Sequence, residues 1–74
     1  MSELSKKQFD ILEILASSKE TLTQRDISRV TEYSLGTVNK VVRELTEMNL
    51  IEDNRITEDG VSALEPYAVK RAIF

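Results

Sequence analysis

The sequence predicts a small, mostly α-helical α+β domain with a three-helix core, a short two-stranded hairpin and a short fourth helix. Three observations predict it: helix-capping residues at four places in the chain, an apolar stripe with helical spacing near its centre, and two short extended segments separated by a two-residue turn. The order of these elements (helix, short helix, three-residue turn, patterned helix, hairpin) is that of a winged helix-turn-helix.

Length and composition indicate one globular domain. The 74 residues are 41% apolar and 31% charged, as in ordinary soluble chains. No apolar run approaches the ~18–20 residues needed to cross a bilayer, and no signal peptide opens the chain, so no membrane partner is expected. Cysteine and histidine are both absent. We therefore expect a cytoplasmic protein with no metal site and no cofactor.

Four helix starts carry the same local pattern. A Ser or Thr hydroxyl precedes each one and can accept a hydrogen bond from a free backbone N–H group, and apolar residues flank it. The four capping residues are Ser5, Thr23, Ser34 and Thr57. The helices predicted to follow them cover residues 6–17, 24–30, 34–48 and 58–64.

Apolar spacing predicts which faces of these helices are buried. The third helix has the clearest stripe, formed at i, i+3, i+4 and i+7 by Val38, Val41, Val42 and Leu45. The first helix is expected to bury Phe9, Ile11, Leu12, Leu15 and Ala16. The second helix is expected to bury Ile27 and Val30.

The segment after the third helix predicts a sharp turn and a hairpin. Asn49 is expected to end the helix in the left-handed conformation, so that Leu50 folds back onto Leu45. Residues 50–52 and 55–57 are predicted to pair as a hairpin, the wing, around a two-residue turn.

The net charge of −3 is unevenly distributed along the chain. Residues 23–43 carry four basic and two acidic residues, whereas residues 44–65 carry seven acidic residues and one arginine. The internal basic stretch is therefore the predicted helix-turn-helix itself. Because nucleic-acid phosphates attract such a surface, this distribution favours a DNA partner.

The outward face of the third helix is small and basic. Gly36 would let the helix approach DNA closely, while Thr37 and Asn39 can hydrogen-bond base edges or phosphates. Lys40 and Arg43 can neutralise phosphates. The start of the second helix, where free N–H groups favour an anion, adds Thr23, Gln24 and Arg25. Any solvated helix presents similar residues, but the order of the elements favours DNA binding.

The pattern resembles a known family. Residues 23–45, TQRDISRVTEYSLGTVNKVVREL, look like the MarR-type winged helix family of transcription regulators, and the resemblance covers about residues 5–64. It extends through Asn49-Leu50-Ile51 and through Ile56-Thr57-Glu58-Asp59-Gly60. It implies double-stranded DNA as the partner, a recognition helix over 34–48, and contacts at Thr23, Gln24, Arg25, Ser34, Gly36, Thr37, Lys40 and Arg43, with Arg55 on the wing.

Three residues or segments depart from the family pattern. Leu35 and Gly36 stand where binders usually offer polar side chains, Glu32 stands where the turn commonly has glycine, and the wing is short with one arginine. The short wing, the apolar first turn at Leu35 and the acidic segment 44–65 favour a second hypothesis, a regulatory or protein-interaction domain with weak or no DNA binding. Members of the family dimerise through additional helices that are not found in this sequence. The sequence therefore predicts no oligomeric state.

The C-terminal residues suggest a covalent partner for that second hypothesis. Pro66 is expected to end the fourth helix and leave residues 67–74 extended. Residues 69–74 resemble the first β-strand of sugar-phosphate nucleotidyltransferases of the phosphocholine cytidylyltransferase type, which follow MarR-like domains in some bacterial proteins; a plain terminal strand is the alternative. We assign residues 1–65 to the winged helix-turn-helix, and 66–74 to a linker and the start of a strand.

Catalysis by this chain is not expected. The adjacent acids Glu52-Asp53 and Glu58-Asp59 are explained by solubility and by the helix dipole. There is no glycine-rich phosphate loop, and the Ser and Thr residues serve as helix caps.

Overall fold

The computed structural model describes residues 4–18 and 20–72, the last six by their backbone alone. These residues form four helices and one antiparallel hairpin, which confirms the predicted winged helix-turn-helix class. In chain order the elements are α1 (Lys6–Ser17), α2 (Gln24–Thr31), α3 (Leu35–Glu47), β1 (Ile51–Glu52), β2 (Arg55–Ile56) and α4 (Glu58–Ala72).

All four predicted capping residues lie at helix N-termini. Ser5 Oγ accepts from the Gln8 N–H group at 3.2 Å, and Gln8 Oε1 accepts from the Ser5 N–H group at 3.0 Å, forming a capping box. The other hydroxyls that accept from a backbone N–H group three residues later belong to Thr23, Ser34 and Thr57. The helix starts are therefore set by local chemistry.

The core forms where α3 packs against α1, α2 and β1. The predicted stripe of α3 is entirely buried, and buried apolar side chains from α1, α2, Leu50 and β1 surround it. β2 and α4 add half-buried apolar residues at the edge of this core. The buried apolar residues are Ile11, Leu12, Leu15, Ile27, Val38, Val41, Val42, Leu45, Leu50 and Ile51. No polar side chain in the described part of the chain is buried with them.

Two residues expected in this core are exposed instead. Ala16 is exposed because it lies at the edge of the α1 stripe and its side chain is too short to reach inward. Val30 is 62% exposed. It lies in the last turn of α2, where the chain leaves the core through Glu32, which has the left-handed conformation (φ 65°). Phe9, expected inside, is half-buried.

The end of α3 follows the prediction. Asn49 has a positive φ of 63°, and the Leu50 N–H group donates to the Leu45 carbonyl at 2.9 Å. This bond turns the chain back so that Leu50 is buried beneath the helix it has just left.

The hairpin turn has the geometry that suits twisted strands. Asp53 and Asn54 both have positive φ angles, 53° and 61°, as a type I′ turn requires. Glu52 pairs with Arg55 across the ladder. Asn54 Nδ2 also donates to the Leu22 carbonyl at 3.1 Å, which ties the turn to the segment just before α2.

Gly60 allows α4 to pack closely against the segment before the hairpin. A Cβ at this position would lie 2.3 Å from the Leu50 carbonyl oxygen and 2.6 Å from Ile56 Cγ1. Real Cβ atoms do not approach other atoms so closely, so the first turn of α4 requires glycine.

The prediction that Pro66 ends the fourth helix and that an extended segment follows was wrong for residues 66–72. α4 does not stop at residue 64 but continues through Pro66 to Ala72. Pro66 removes one helical hydrogen bond, whose acceptor would be the Ser62 carbonyl. Both residues are exposed, so water can satisfy that carbonyl. Residues 73–74 of the expected strand lie outside the described residues.

A polar link joins α1 to the turn between α2 and α3. The Tyr33 hydroxyl donates to Asp10 Oδ2 at 2.5 Å, and Lys6 Nζ lies 2.9 Å from the same oxygen. The Tyr33 bond, helped by Lys6, holds the pKa of Asp10 below its usual value despite its partial burial. This link fixes the residue immediately before the α3 cap.

Candidate nucleic-acid interface

The exposed face of α3 carries the residues that the sequence predicted. Asn39, Lys40 and Arg43 are exposed, and Thr37 is half-buried. Gly36 is also exposed, and a Cβ added there would meet nothing within 4 Å. The first half of this helix therefore presents an open, unobstructed surface.

Hydrogen bonds join three of these predicted residues across two helices. Asn39 Nδ2 donates to Gln24 Oε1 at 3.1 Å, and Arg43 Nη2 donates to Asn39 Oδ1 at 3.2 Å. Gln24 opens α2, whereas the other two lie on successive turns of α3. We call these three residues the amide row.

The first turn of α2 carries a carboxylate, that of Asp26, at the helix N-terminus. Thr23 Oγ1 accepts from the Asp26 N–H group, and Asp26 Oδ2 accepts from the Thr23 N–H group, each at 3.1 Å. These bonds keep the pKa of Asp26 below its usual value, so the carboxylate is charged at neutral pH. Arg29 approaches it at 3.8 Å. Arg25 is exposed and forms no ion pair with any described residue.

Ser34 is used mainly to start α3. Its hydroxyl accepts from the Thr37 N–H group at 3.1 Å and donates to Thr37 Oγ1 at 2.9 Å. Both residues remain at the surface, but their hydroxyl groups are already partly satisfied by each other.

Arg55 lies against the body of the domain. Its Nε group donates to Thr21 Oγ1 at 2.9 Å. Together with the bond from Asn54 to the Leu22 carbonyl, this contact places the wing arginine beside the segment that leads into Thr23. The predicted wing and the predicted start of α2 are thus neighbours.

Lys7 is a basic residue of this surface that the sequence did not single out. It lines one shallow cleft together with Thr37, Lys40 and the half-buried Glu44. Its Nζ lies 5.8 Å from the centre of the Tyr33 ring. The Lys6-Lys7 pair was visible in the sequence, but only the packing of α1 across α3 shows which lysine lies near Lys40. Lys6 is engaged with Asp10.

Acidic residues border the opposite end of α3. Between Arg43 and Pro66 the exposed charged side chains are mostly acidic, and five of the acids lie on the last turn of α3, the hairpin and the first turn of α4. They are Glu47, Glu52, Asp53, Glu58 and Asp59. The basic surface is therefore confined to the first half of α3 and its surroundings.

A comparison with family models identifies the domain. The model described as the MarR family matches residues 2–60, well over half of the chain. The chain belongs to the MarR family. The resemblance predicted from the sequence is thereby confirmed, and the domain is of the winged helix-turn-helix, transcription-regulator type. No curated protein and no solved structure gives a significant match.

The nucleotidyltransferase resemblance of the C-terminal residues gains no support. The MarR-family match ends at residue 60, and residues 66–72 are helical where a strand was expected. Among the described residues, no helix is long and apolar enough to span a bilayer. The same residues contain no group of three acidic, cysteine or histidine side chains placed to hold a metal ion.

Proposed function

We propose that this MarR-family domain binds double-stranded DNA with the first half of α3 in the major groove. The observation that carries the proposal is the amide row, which joins the start of α2 to the exposed face of α3. Its hydrogen bonds join the exposed sides of α2 and α3 into one continuous surface. Lys40 lies beside this row and forms no ion pair with any described acidic residue. In helix-turn-helix proteins this pair of helices contacts the backbone and the bases.

The predicted residues other than Asn39 each have a DNA contact suited to their surroundings. Lys40 and Arg43 neutralise phosphates on either side of the groove. Gly36 allows the backbone of α3 to approach the base edges, and Thr37 offers its hydroxyl there. Around this centre, contacts to the DNA backbone come from Thr23, Gln24, Arg25, Ser34 and Arg55.

The expected binding is modest and strongly salt-dependent. About four phosphate contacts, from Arg25, Lys40, Arg43 and Arg55, give a log–log slope of affinity against salt of roughly −3 to −4. The acidic end of α3 and the charged Asp26 carboxylate repel the duplex elsewhere and so limit the area of contact.

A titration of a fluorescent mixed-sequence duplex at low salt tests this proposal. We expect Lys40→Ala with Arg43→Ala to make the salt slope shallower by about two. Lys6→Ala, which removes a cation that is paired with Asp10, should leave the slope unchanged. Wild-type binding that does not respond to salt, or that the double variant leaves intact, would contradict DNA binding through α3.

A protein partner is the second candidate function. Val30 and Leu35, at the two sides of the turn between α2 and α3, are 62% and 45% exposed, and exposed apolar side chains suit protein contacts. Absence of duplex binding, together with loss of a protein interaction on Leu35→Ser, would favour this candidate.

A further inference from the structure

Asn39 occupies the centre of the amide row. Its amide nitrogen donates to Gln24 Oε1 (3.1 Å) and its amide oxygen accepts from Arg43 Nη2 (3.2 Å). Gln24 is 15 residues away in the chain, so the row depends on how α2 packs against α3. Asn39 is the member of the row that contacts both of the others.

The contact restrains a long and flexible side chain. Arg43 is exposed and has no carboxylate partner among the described residues. Its hydrogen bond to Asn39 comes from a residue four positions earlier, one turn back along α3. An arginine held in this way needs less ordering when it meets a phosphate.

The same geometry counts against a direct role for Asn39 in reading bases. Asparagine recognises adenine by presenting its amide oxygen and nitrogen together to one base edge. Here the oxygen bonds to Arg43 and the nitrogen to Gln24, so both groups are directed along the protein surface.

We therefore propose that Asn39 is a positioning residue, which holds Arg43 and Gln24 in a preformed arrangement for the DNA backbone. This inference rests on the proposed function. It assigns Asn39 an effect on DNA binding that passes through Arg43 rather than through a base.

The free protein gives the first test. We expect ¹⁵N NMR relaxation to show the Arg43 Nε–H group more restrained than that of Arg25, whose side chain forms neither a hydrogen bond nor an ion pair with the described residues. Asn39→Ala should release Arg43 to the mobility of Arg25. If Arg43 is already as mobile as Arg25 in the wild type, the proposal is overturned, whatever the result with DNA.

Double-mutant cycles with a duplex give the second test. Asn39→Ala should weaken binding about fivefold in the wild type and in the Lys40→Ala background, but less than about twofold in the Arg43→Ala background. Lys40→Ala is the matched control, because it removes one cation from the same face of α3 without a bond to Asn39. Equal losses in both backgrounds would show a direct contact by Asn39 and overturn the proposal.

Failure of the proposed function has a different signature. A wild-type chain that binds no duplex removes the DNA-binding role of α3, and the role of Asn39 in it. If the wild type binds the duplex but the effects of Asn39→Ala and Arg43→Ala on affinity are additive, only the positioning role of Asn39 is removed.

Discussion

At the scale of single residues, Gly60 is required by packing. We expect Gly60→Ala to lower the free energy of unfolding by about 1–3 kcal/mol, because its Cβ would meet the Leu50 carbonyl oxygen at 2.3 Å. Gly36→Ala is the matched control. It lies in α3 with open space around it, so it should be neutral or stabilising by up to ~1 kcal/mol. Equal stabilities of the two variants in urea titrations would contradict this account.

Tyr33 makes the stability of the domain depend on pH. Its hydroxyl lowers the pKa of Asp10, so the bond stabilises the fold above the unfolded carboxyl pKa of about 3.9 and loses this effect as pH falls further. We expect Tyr33→Phe to lower the melting temperature at pH 7 and to differ less from the wild type at pH 3. A difference that stays constant between these pH values would refute the link.

Residue-scale features were predictable where they depend on near neighbours in the chain. Ser5 and Gln8 form their capping box within one turn, and the left-handed Asn49 follows directly from the end of a helix. The bond between Gln24 and Asn39 spans 15 residues, and no local pattern indicates it. The glycine at position 60 was visible in the family pattern, but its steric reason needed the fold.

At the scale of elements, Asn54 both turns the hairpin and attaches it to the body of the domain. Asn54→Gly keeps the positive φ and removes only the bond to the Leu22 carbonyl. We expect about fivefold faster hydrogen exchange at the Thr57 amide, which bonds to the Leu50 carbonyl.

The neighbouring turn residue offers the control for this experiment. Asp53→Gly makes the same replacement at a positive-φ position where the side chain forms no hydrogen bond. It should leave exchange at Thr57 unchanged. Equal acceleration by both variants would mean that the side-chain bond of Asn54 does not hold the hairpin.

The continuation of α4 through Pro66 has a measurable consequence. Alanine is about 3 kcal/mol better than proline in a helix interior, so Pro66→Ala should raise both helical circular dichroism and stability. Glu65→Ala, at the exposed neighbour, should change stability by no more than about 0.5 kcal/mol. A Pro66 variant indistinguishable from the Glu65 variant would argue against a continuous helix.

A helix and its buried face were predictable from the sequence where apolar residues repeat with helical spacing over at least two turns. The α3 stripe spans two turns and fixed both the helix and its buried face. α2 has only eight residues, too few to show from the sequence that Val30 faces solvent. In α4 the usual effect of proline suggested an end, yet the exposed position of Pro66 tolerates it.

At the scale of the whole molecule, the exposed charges of residues 23–59 separate into a basic half and an acidic half. The start of α2, the first half of α3 and Arg55 form the basic half, and the end of α3, the hairpin and the start of α4 form the acidic half. The sequence predicted this division because the charges are segregated along the chain. Only the fold brings Arg55, from within the acidic segment, back to Thr21 and the basic half.

Chemical-shift mapping of the ¹⁵N-labelled chain with a short duplex at low salt tests DNA binding by the basic half most directly. We predict that the amide signals of residues 23–25 and 34–43 and of Arg55 shift on addition of DNA and return as salt is raised. The signals of Glu58 and Asp59 should stay in place. Shifts that centre on α4, or no salt-reversible shifts in α3, would contradict the account.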